Sequence, residues 1–380
     1  MEEQIKVSVI APVHNTADYL YEFLDSVLGQ SLREIEVICV DDGSTDASAE
    51  IVEEYMRKDS RLRLVEQSCS GAAVARNAGL ELASGKYVIF LDSDDFFERD
   101  FLRLMFEQIE EHGAEIAFCG GYTYDCKSSR DAPNPNIFKT GYMDGLKVIS
   151  RSEIPNSLFQ VTSPAPWNKL YSRKFIIDNE LRFQNVSNTN DLYFFVTAFA
   201  SARSIVCVPD RLVYYRINRP GSIQINDRER HPKVFASALD ESRVFLEEHG
   251  LWLQLKSSFI VFALEVARYN MLVSNSYKTY YSVFEAAHDV FLSFKDELAV
   301  SQFKVEEFYW LASQYADGEP NDALFAIWKR ERDERMRIER EASEKRKKME
   351  KQIAKLKSAA GNPSLVRKLL RKVKRKLISS

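Results

Sequence analysis

Two acidic clusters stand out by residue type and spacing. One is Asp41-Asp42-Gly43-Ser44-Thr45-Asp46, and the other is Asp92-Ser93-Asp94-Asp95. Carboxylates this close repel one another unless something cationic sits among them. Oxygen ligands of this kind suit hard divalent ions such as Mg2+ or Mn2+. A metal-nucleotide site is the chemistry such residues can supply. Taken alone, Asp41–Ser44 would also serve as a turn followed by a helix cap, and Asp92–Asp95 as a solvated turn. Their shared setting favours a site, because each directly follows an apolar run, Ile35–Val40 in one case and Val88-Ile89-Phe90-Leu91 in the other. A third polar segment, Pro12-Val13-His14-Asn15, follows the run Ile5–Ala11 in the same way.

The elements that must position these segments are legible in the periodicity. Ile5–Ala11, Ile35–Val40, Arg61–Glu66 and Lys86–Leu91 read as strands. Asp18–Gln30 carries Leu20, Phe23, Leu24, Val27 and Leu28 at helical spacing, and Asp46–Lys58 carries Ile51, Val52 and Tyr55 on one side. Ala72–Ala83 reads as a third helix. Strands alternating with helices of this length imply βαβ units and a parallel sheet, with ligands beyond the carboxyl ends of the strands. All three polar segments then converge on one edge. Ala114–Cys119 reads as a further strand and Tyr122–Pro135 as a loop. No GxGxxG follows the first strand and no Walker A motif occurs, which removes other nucleotide-binding families.

Four motifs in order carry a family resemblance. They are Val7-Ser8-Val9-Ile10-Ala11-Pro12-Val13-His14-Asn15, Asp41-Asp42-Gly43-Ser44-Thr45-Asp46, Ala75-Arg76-Asn77-Ala78-Gly79 and Phe90-Leu91-Asp92-Ser93-Asp94-Asp95. Across about residues 5–120 the chain resembles the family 2 glycosyltransferases. The resemblance implies a GT-A type α/β fold, a Rossmann-like mostly parallel sheet flanked by helices. It also implies an inverting transfer from a nucleotide-diphospho-sugar donor, dependent on a divalent metal, Mn2+ or Mg2+. Carried over, Pro12 and Asn15 line the nucleotide-sugar site, Asp42 bonds the base with Asp41 beside it, and Arg76 lies near the nucleotide and phosphates. Asp92 and Asp94 form the DxD element near ribose and metal. Asp94 and Asp95 are the metal-ligand candidates, and sequence does not choose among the three acids. His14 stands where Tyr is common in the family and reads as a wall residue, with contact to the nucleotide base as the other reading.

Further along, the family tends to open a helix with a Glu-Asp pair. Here the pair is Asn190-Asp191, so the first acid is replaced and the Asp remains. An acceptor hydroxyl is a poor nucleophile at neutral pH, and a carboxylate within reach can take its proton as it attacks the anomeric carbon. Asp191 is assigned that general-base role, and a helix N-cap is the plainer reading of the same residue. Trp167 suits either a sugar platform or core packing. Lys169 reads as a surface lysine, with phosphate contact as the other reading. Arg211-Leu212-Val213-Tyr214-Tyr215-Arg216 resembles the family's closing strand, and the loop Arg219–Ile223 after it is a candidate lid.

The chain has 380 residues, 45% hydrophobic and 28% charged, a globular composition that excludes collagen-like and bulk disordered classes. The expected organisation is a catalytic domain over 1–230, a helical appendage over 231–327, a charged helix or weak coiled coil over 328–361, and a basic amphipathic helix over 362–380. The net charge of −4 hides an asymmetry: residues 329–380 hold 20 Lys and Arg against 7 Asp and Glu, leaving an acidic body. In 362–380, Leu365, Val366, Leu369, Leu370, Val373 and Leu377 form a stripe ringed by Lys and Arg, which suits an anionic membrane surface rather than nucleic acid. The acceptor is then expected to be a glycan or a lipid-linked glycan, and the charged stretch permits a homodimer.

No signal peptide or membrane span is expected, which places the protein in the cytoplasm or on the inner face of the cell membrane. Cys39, Cys69, Cys119, Cys126 and Cys207 are scattered, with no CxxC pair. That fits a reducing compartment, and no His/Cys cluster is expected. A silent nucleotide-sugar-binding scaffold is the alternative reading. Retention of Asp42, Asp92, Asp94 and Asp191 together argues against it. A nucleotidyltransferase would need a Gly/Lys-rich phosphate loop after the first strand, which Pro12-Val13-His14-Asn15 is not.

Overall fold

The computed structural model describes residues 4–143, 145–219 and 229–294. In chain order the first elements are β1 (Val7–Val13), α1 (Ala17–Leu28), β2 (Ile35–Asp41), α2 (Ser48–Met56), β3 (Leu62–Glu66), α3 (Ala72–Leu82) and β4 (Tyr87–Phe90). Then come β5 (Phe96–Phe97), α4 (Phe101–His112), β6 (Ile116–Asp125), β7 (Arg130–Pro133), β8 (Val148–Ile149), β9 (Lys169–Ser172), α5 (Arg173–Asp178), α6 (Asn190–Ser201) and β10 (Ile205–Ile217). Three further helices follow: α7 (Val234–Glu248), α8 (Trp252–Leu272) and α9 (Tyr277–Leu292).

One sheet runs in the order β3-β2-β1-β4-β9-β6-β10-β5, with β7 beside β6 and β8 beside β10. The pairs β1–β2, β2–β3, β1–β4 and β6–β10 are parallel. β9 is antiparallel to both β4 and β6, so β6 and β10 run in the same direction as the first four strands. Parallel strands covered on both faces are expected to be apolar throughout, and every residue of β2 is buried. α1 turns Leu20, Phe23, Leu24, Val27 and Leu28 into the core. α3 lies so close to β1 that a Cβ at Gly79 would fall 2.4 Å from Ile10 Cγ2. Glycine is what permits that approach.

The segment read as a loop over Tyr122–Pro135 is a β-hairpin. β6 continues to Asp125 and pairs antiparallel with β7, from Tyr122↔Pro133 to Asp125↔Arg130. β7 is exposed throughout and ends in a proline, as an edge strand tolerates. The helices after β10 pack on α6 and on the turn at Leu158–Gln160. There Phe159 lies against Phe195, Phe259 and Phe262 at 6.2, 6.3 and 6.0 Å between centroids. No helix among the described residues is long and apolar enough to cross a membrane. The part of the expected helical appendage beyond residue 294, the expected stretches 328–361 and 362–380, and the lid candidate beyond Arg219 lie outside the described residues.

Candidate active site

The carboxyl ends of β1, β2 and β4 share one edge because these strands are parallel neighbours. At the end of β2 the chain turns through Gly43 at φ 72°, and Ser44 caps Asp41 with its N–H at 3.2 Å and its hydroxyl. Asn15, itself at φ 52°, bridges from β1. Its side-chain oxygen accepts from Thr45 N at 2.8 Å, and its own N–H donates to Ser44 Oγ at 3.1 Å. Pro12 sits within β1, paired opposite Val40.

Asp42 is buried and its carboxylate is fully engaged. Gln67 Nε2 and Ser70 N donate to Oδ1, both at 2.7 Å, and Gly71 N donates to Oδ2 at 2.8 Å. The loop between β3 and α3 is thereby wrapped around the end of β2.

Arg76, on α3, is a buried hub. Nη2 donates to Asp92 Oδ1 at 2.7 Å and Nη1 to Asn190 Oδ1 at 2.8 Å, which joins α3, the end of β4 and the start of α6. The guanidinium lies 5.3 Å from the Phe183 ring, and Phe183 stacks on Phe194 of α6 at 4.1 Å. A planar fork can hold two partners in fixed directions in a way an ammonium cannot.

After β4, Asp92, Asp94 and Asp95 place carboxylate oxygens within 4.8 Å of one another. Asp94 pairs with Arg219 Nε at 2.5 Å. Asp95 is 1% exposed; Oδ1 accepts from Arg216 N at 2.8 Å, and Oδ2 is buried without a partner. Burial, then the neighbouring acids, push the Asp95 carboxyl well above the usual range, and burial also raises Asp94. Tyr215 on β10 lies within electrostatic reach of the same acids. Burial first, and the charges of Asp95, Asp92 and Asp94 with it, raise its hydroxyl. Trp167 is buried and stacks on Tyr215 at 5.5 Å, so core packing holds and its ring offers no open sugar platform.

Asp191 lies in the first turn of α6, half-buried, next to the residue that binds Arg76. It is not the N-cap; Thr189 occupies that position at φ 54°, with no side-chain cap bond. Its charge acts on buried Lys169 and Tyr171. Lys169 is not a surface residue: it is fully buried, and its ammonium donates to Ser163 O, Ala165 O and Asn168 Oδ1 at 2.7, 2.6 and 2.7 Å. That corrects both readings of it, because neither solvent nor a phosphate reaches it.

The chain matches the profile of glycosyl transferase family 2 over residues 8–178. It is 33% identical over 224 residues to the glycosyltransferase GlyG of Streptococcus pneumoniae, covering 57% of this chain and 72% of that protein. The chain belongs to glycosyl transferase family 2. It is also 32% identical over 271 residues to the glycosyltransferase GlyA of the same organism, but spans only 38% of that protein's length. A crystal structure of Staphylococcus aureus TarS, residues 1–349, in complex with UDP superposes with a TM-score of 0.64 at 22% identity, covering 84% of this chain and 89% of that one. The fold is therefore of the GT-A type, as the motif order implied.

The structure gives contacts at the site to four residues to which the sequence assigned no role there. Asn190, Arg216, Arg219 and Gln67 each bond an acid or arginine of the motifs. The one available signal was that Arg216 and Arg219 follow a closing-strand pattern, which places them at the same sheet edge.

Proposed function

We propose that this chain transfers a sugar, with inversion, from a nucleoside-diphosphate donor to a hydroxyl of a glycan or lipid-linked acceptor. One observation carries the reading. Three carboxylates with an unpartnered buried oxygen lie at the edge where Arg76 ties Asp92 to Asn190, the residue before Asp191. TarS structures in complex with UDP and UDP-GlcNAc favour a uridine donor as the first to test.

The residues fit a hard divalent cation, because all three donors are oxygens and Asp95 Oδ2 lacks any other partner. Asp92, Asp94 and Asp95 would hold it. When bound, such an ion offsets the charge on the departing diphosphate. The chain's own residues do the rest. Asp42 and the loop it anchors shape the wall for the base, with Pro12, Asn15 and Asp41 beside it. Arg76 presents fixed positive charge at the phosphate end. Asp191 accepts the proton of the acceptor hydroxyl as its oxygen bonds to the anomeric carbon. The bond from that carbon to the diphosphate breaks, and the electron pair leaves on the phosphate oxygen. One base and one face of attack give inversion. Residues 362–380, with their apolar stripe and basic flanks, favour an acceptor at an anionic membrane surface.

The test is a donor panel with Mn2+ or Mg2+ and candidate acceptors, reading free nucleoside diphosphate beside an Asp191→Asn control. Release from one donor, dependent on metal and lost in the control, is expected. Donor binding by calorimetry without release from any donor–acceptor pair would favour the silent-scaffold reading instead.

A further inference from the structure

A cavity of about 430 Å3 lies apart from the site described above. It is lined by Glu98-Arg99-Asp100 between β5 and α4, by Pro209-Asp210-Arg211 within β10, and by Tyr122 of β6. That volume is in the range of small-molecule sites, roughly 300–1,000 Å3.

The strands are shaped to make it. From Val208↔Cys119 to Val213↔Gly121, β10 advances five residues while β6 advances two. Extra residues in one strand of a pair form a bulge, which re-aims side chains and is frequent beside functional sites. Pro209, Asp210 and Arg211 are exposed here, between buried Cys207-Val208 and buried Leu212-Val213. Gly120 permits the bulge, because a Cβ there would meet Arg211 Cγ at 3.0 Å and Asp210 O at 3.2 Å. The facing segment is fixed as well. Glu98 N donates to Leu212 O and Ser31 N to Arg99 O, both at 2.9 Å, and Ser31 Oγ donates to Asp100 Oδ1 at 2.7 Å.

Tyr122 ends a column of stacked groups. It lies on Tyr214 at 5.0 Å and 16°, Tyr214 lies on Phe96 at 4.6 Å and 4°, and the Arg216 guanidinium lies over Phe96 at 4.5 Å. Tyr214 Oη is itself tied to Glu98 Oε1 at 2.6 Å. The ring that reaches the cavity is therefore held rigid. The lining also says what would bind. Three carboxylates against two guanidiniums leave one net negative charge, which disfavours a phosphate-bearing ligand, and the guanidiniums disfavour a metal ion. Acceptors and donors side by side suit neighbouring hydroxyls, and an aromatic ring suits the C–H face of a pyranose.

We infer that this cavity is a carbohydrate-binding site for one pyranose unit of a glycan, separate from the transfer edge. Leu212, which also lines it, stands four residues before Arg216, about 13 Å along the strand. Sugar binding there does not depend on the transfer reading. Its use, to retain an acceptor glycan on the enzyme, rests on that reading.

The experiment uses the full chain, with the methyl glycosides of glucose, galactose, mannose and N-acetylglucosamine as probes and saturation-transfer NMR as the readout. At least one probe is expected to bind the wild type. Tyr122→Ala and Arg211→Ala should each weaken that binding about fivefold or more, while Asp94→Asn, at the transfer edge, should leave it unchanged. No binding of any of the four probes overturns the inference. So does binding that both cavity variants leave intact, or binding that Asp94→Asn abolishes. Tyr122→Ala opens the stacked column, so Arg211→Ala, at an exposed position, serves as the second variant, and circular dichroism checks the fold of both. Donor turnover is measured separately: sugar binding at the cavity without turnover would strike the transfer reading and leave this site standing.

Discussion

At the scale of single residues, Arg76 and Asp191 divide the work of the proposed site. Asp191→Asn should lower turnover by about 10²–10⁴-fold while donor affinity, read by calorimetry, stays within a few-fold, because a general base acts in the transition state. Arg76→Lys keeps the charge but loses the fork that spans Asp92 and Asn190. It should cost about 10²-fold in turnover, measured at saturating donor. Lys169 supplies a test by pH. Burial pulls its pKa down to about 7, although three acceptor oxygens surround the ammonium. A base depressed in the folded state is protonated first in the unfolded chain. Its contribution to stability is therefore greatest above the unfolded value of about 10.4 and is lost as pH falls toward 7. The urea midpoint of the wild type relative to Lys169→Met should rise between pH 7 and pH 10 and be flat below pH 7. The motif acids were legible because each directly follows an apolar run. The Arg76–Asn190 bond was not, since its partners stand 114 residues apart and only tertiary packing joins them. Lys169 was misread because a lysine in a Trp-Asn-Lys run carries no local sign of the carbonyls that surround it.

At the scale of elements, the strands and helices of the first hundred residues follow their periodicity closely, with ends shifted by one or two residues. The hairpin of β6 and β7 escaped because its tip and its prolines carry turn-type residues, which dominate a local reading. Close approach of elements makes a sharper prediction. Gly79→Ala would drive a methyl group into Ile10 Cγ2, so α3 must shift on β1. The expected cost is about 1–3 kcal/mol, read from chemical denaturation, and Ile10→Ala in the same chain should recover part of it. The start of α6 depends likewise on the stack of Phe194 on Phe183, both buried, with the Arg76 guanidinium over the Phe183 ring. Phe194→Ala should cost about 3–5 kcal/mol. It should also lower turnover more than donor affinity, since Asp191 leads the same helix.

At the scale of the whole molecule, charge separates along the chain, with an acidic body and a strongly basic end. Vesicles containing anionic lipid should carry the protein upward in a flotation gradient, less so at high salt, and deletion of residues 362–380 should abolish this. Equal flotation without those residues would remove the membrane reading. Sequence alone carried that expectation, as these residues lie outside the described structure.

The topology has a consequence for synthesis. Among the described residues β5, which directly follows the three clustered acids, pairs with β10 alone, and the N–H that holds Asp95 belongs to Arg216, 121 residues further on. At about 5–20 residues per second, a ribosome emits Asp95 about 6–24 s before it emits the strand that pins it. During translation the nascent chain therefore carries Asp94 and Asp95 without their later partners, although Arg76 is already made to hold Asp92. The final geometry of Asp95 is set only when β10 arrives.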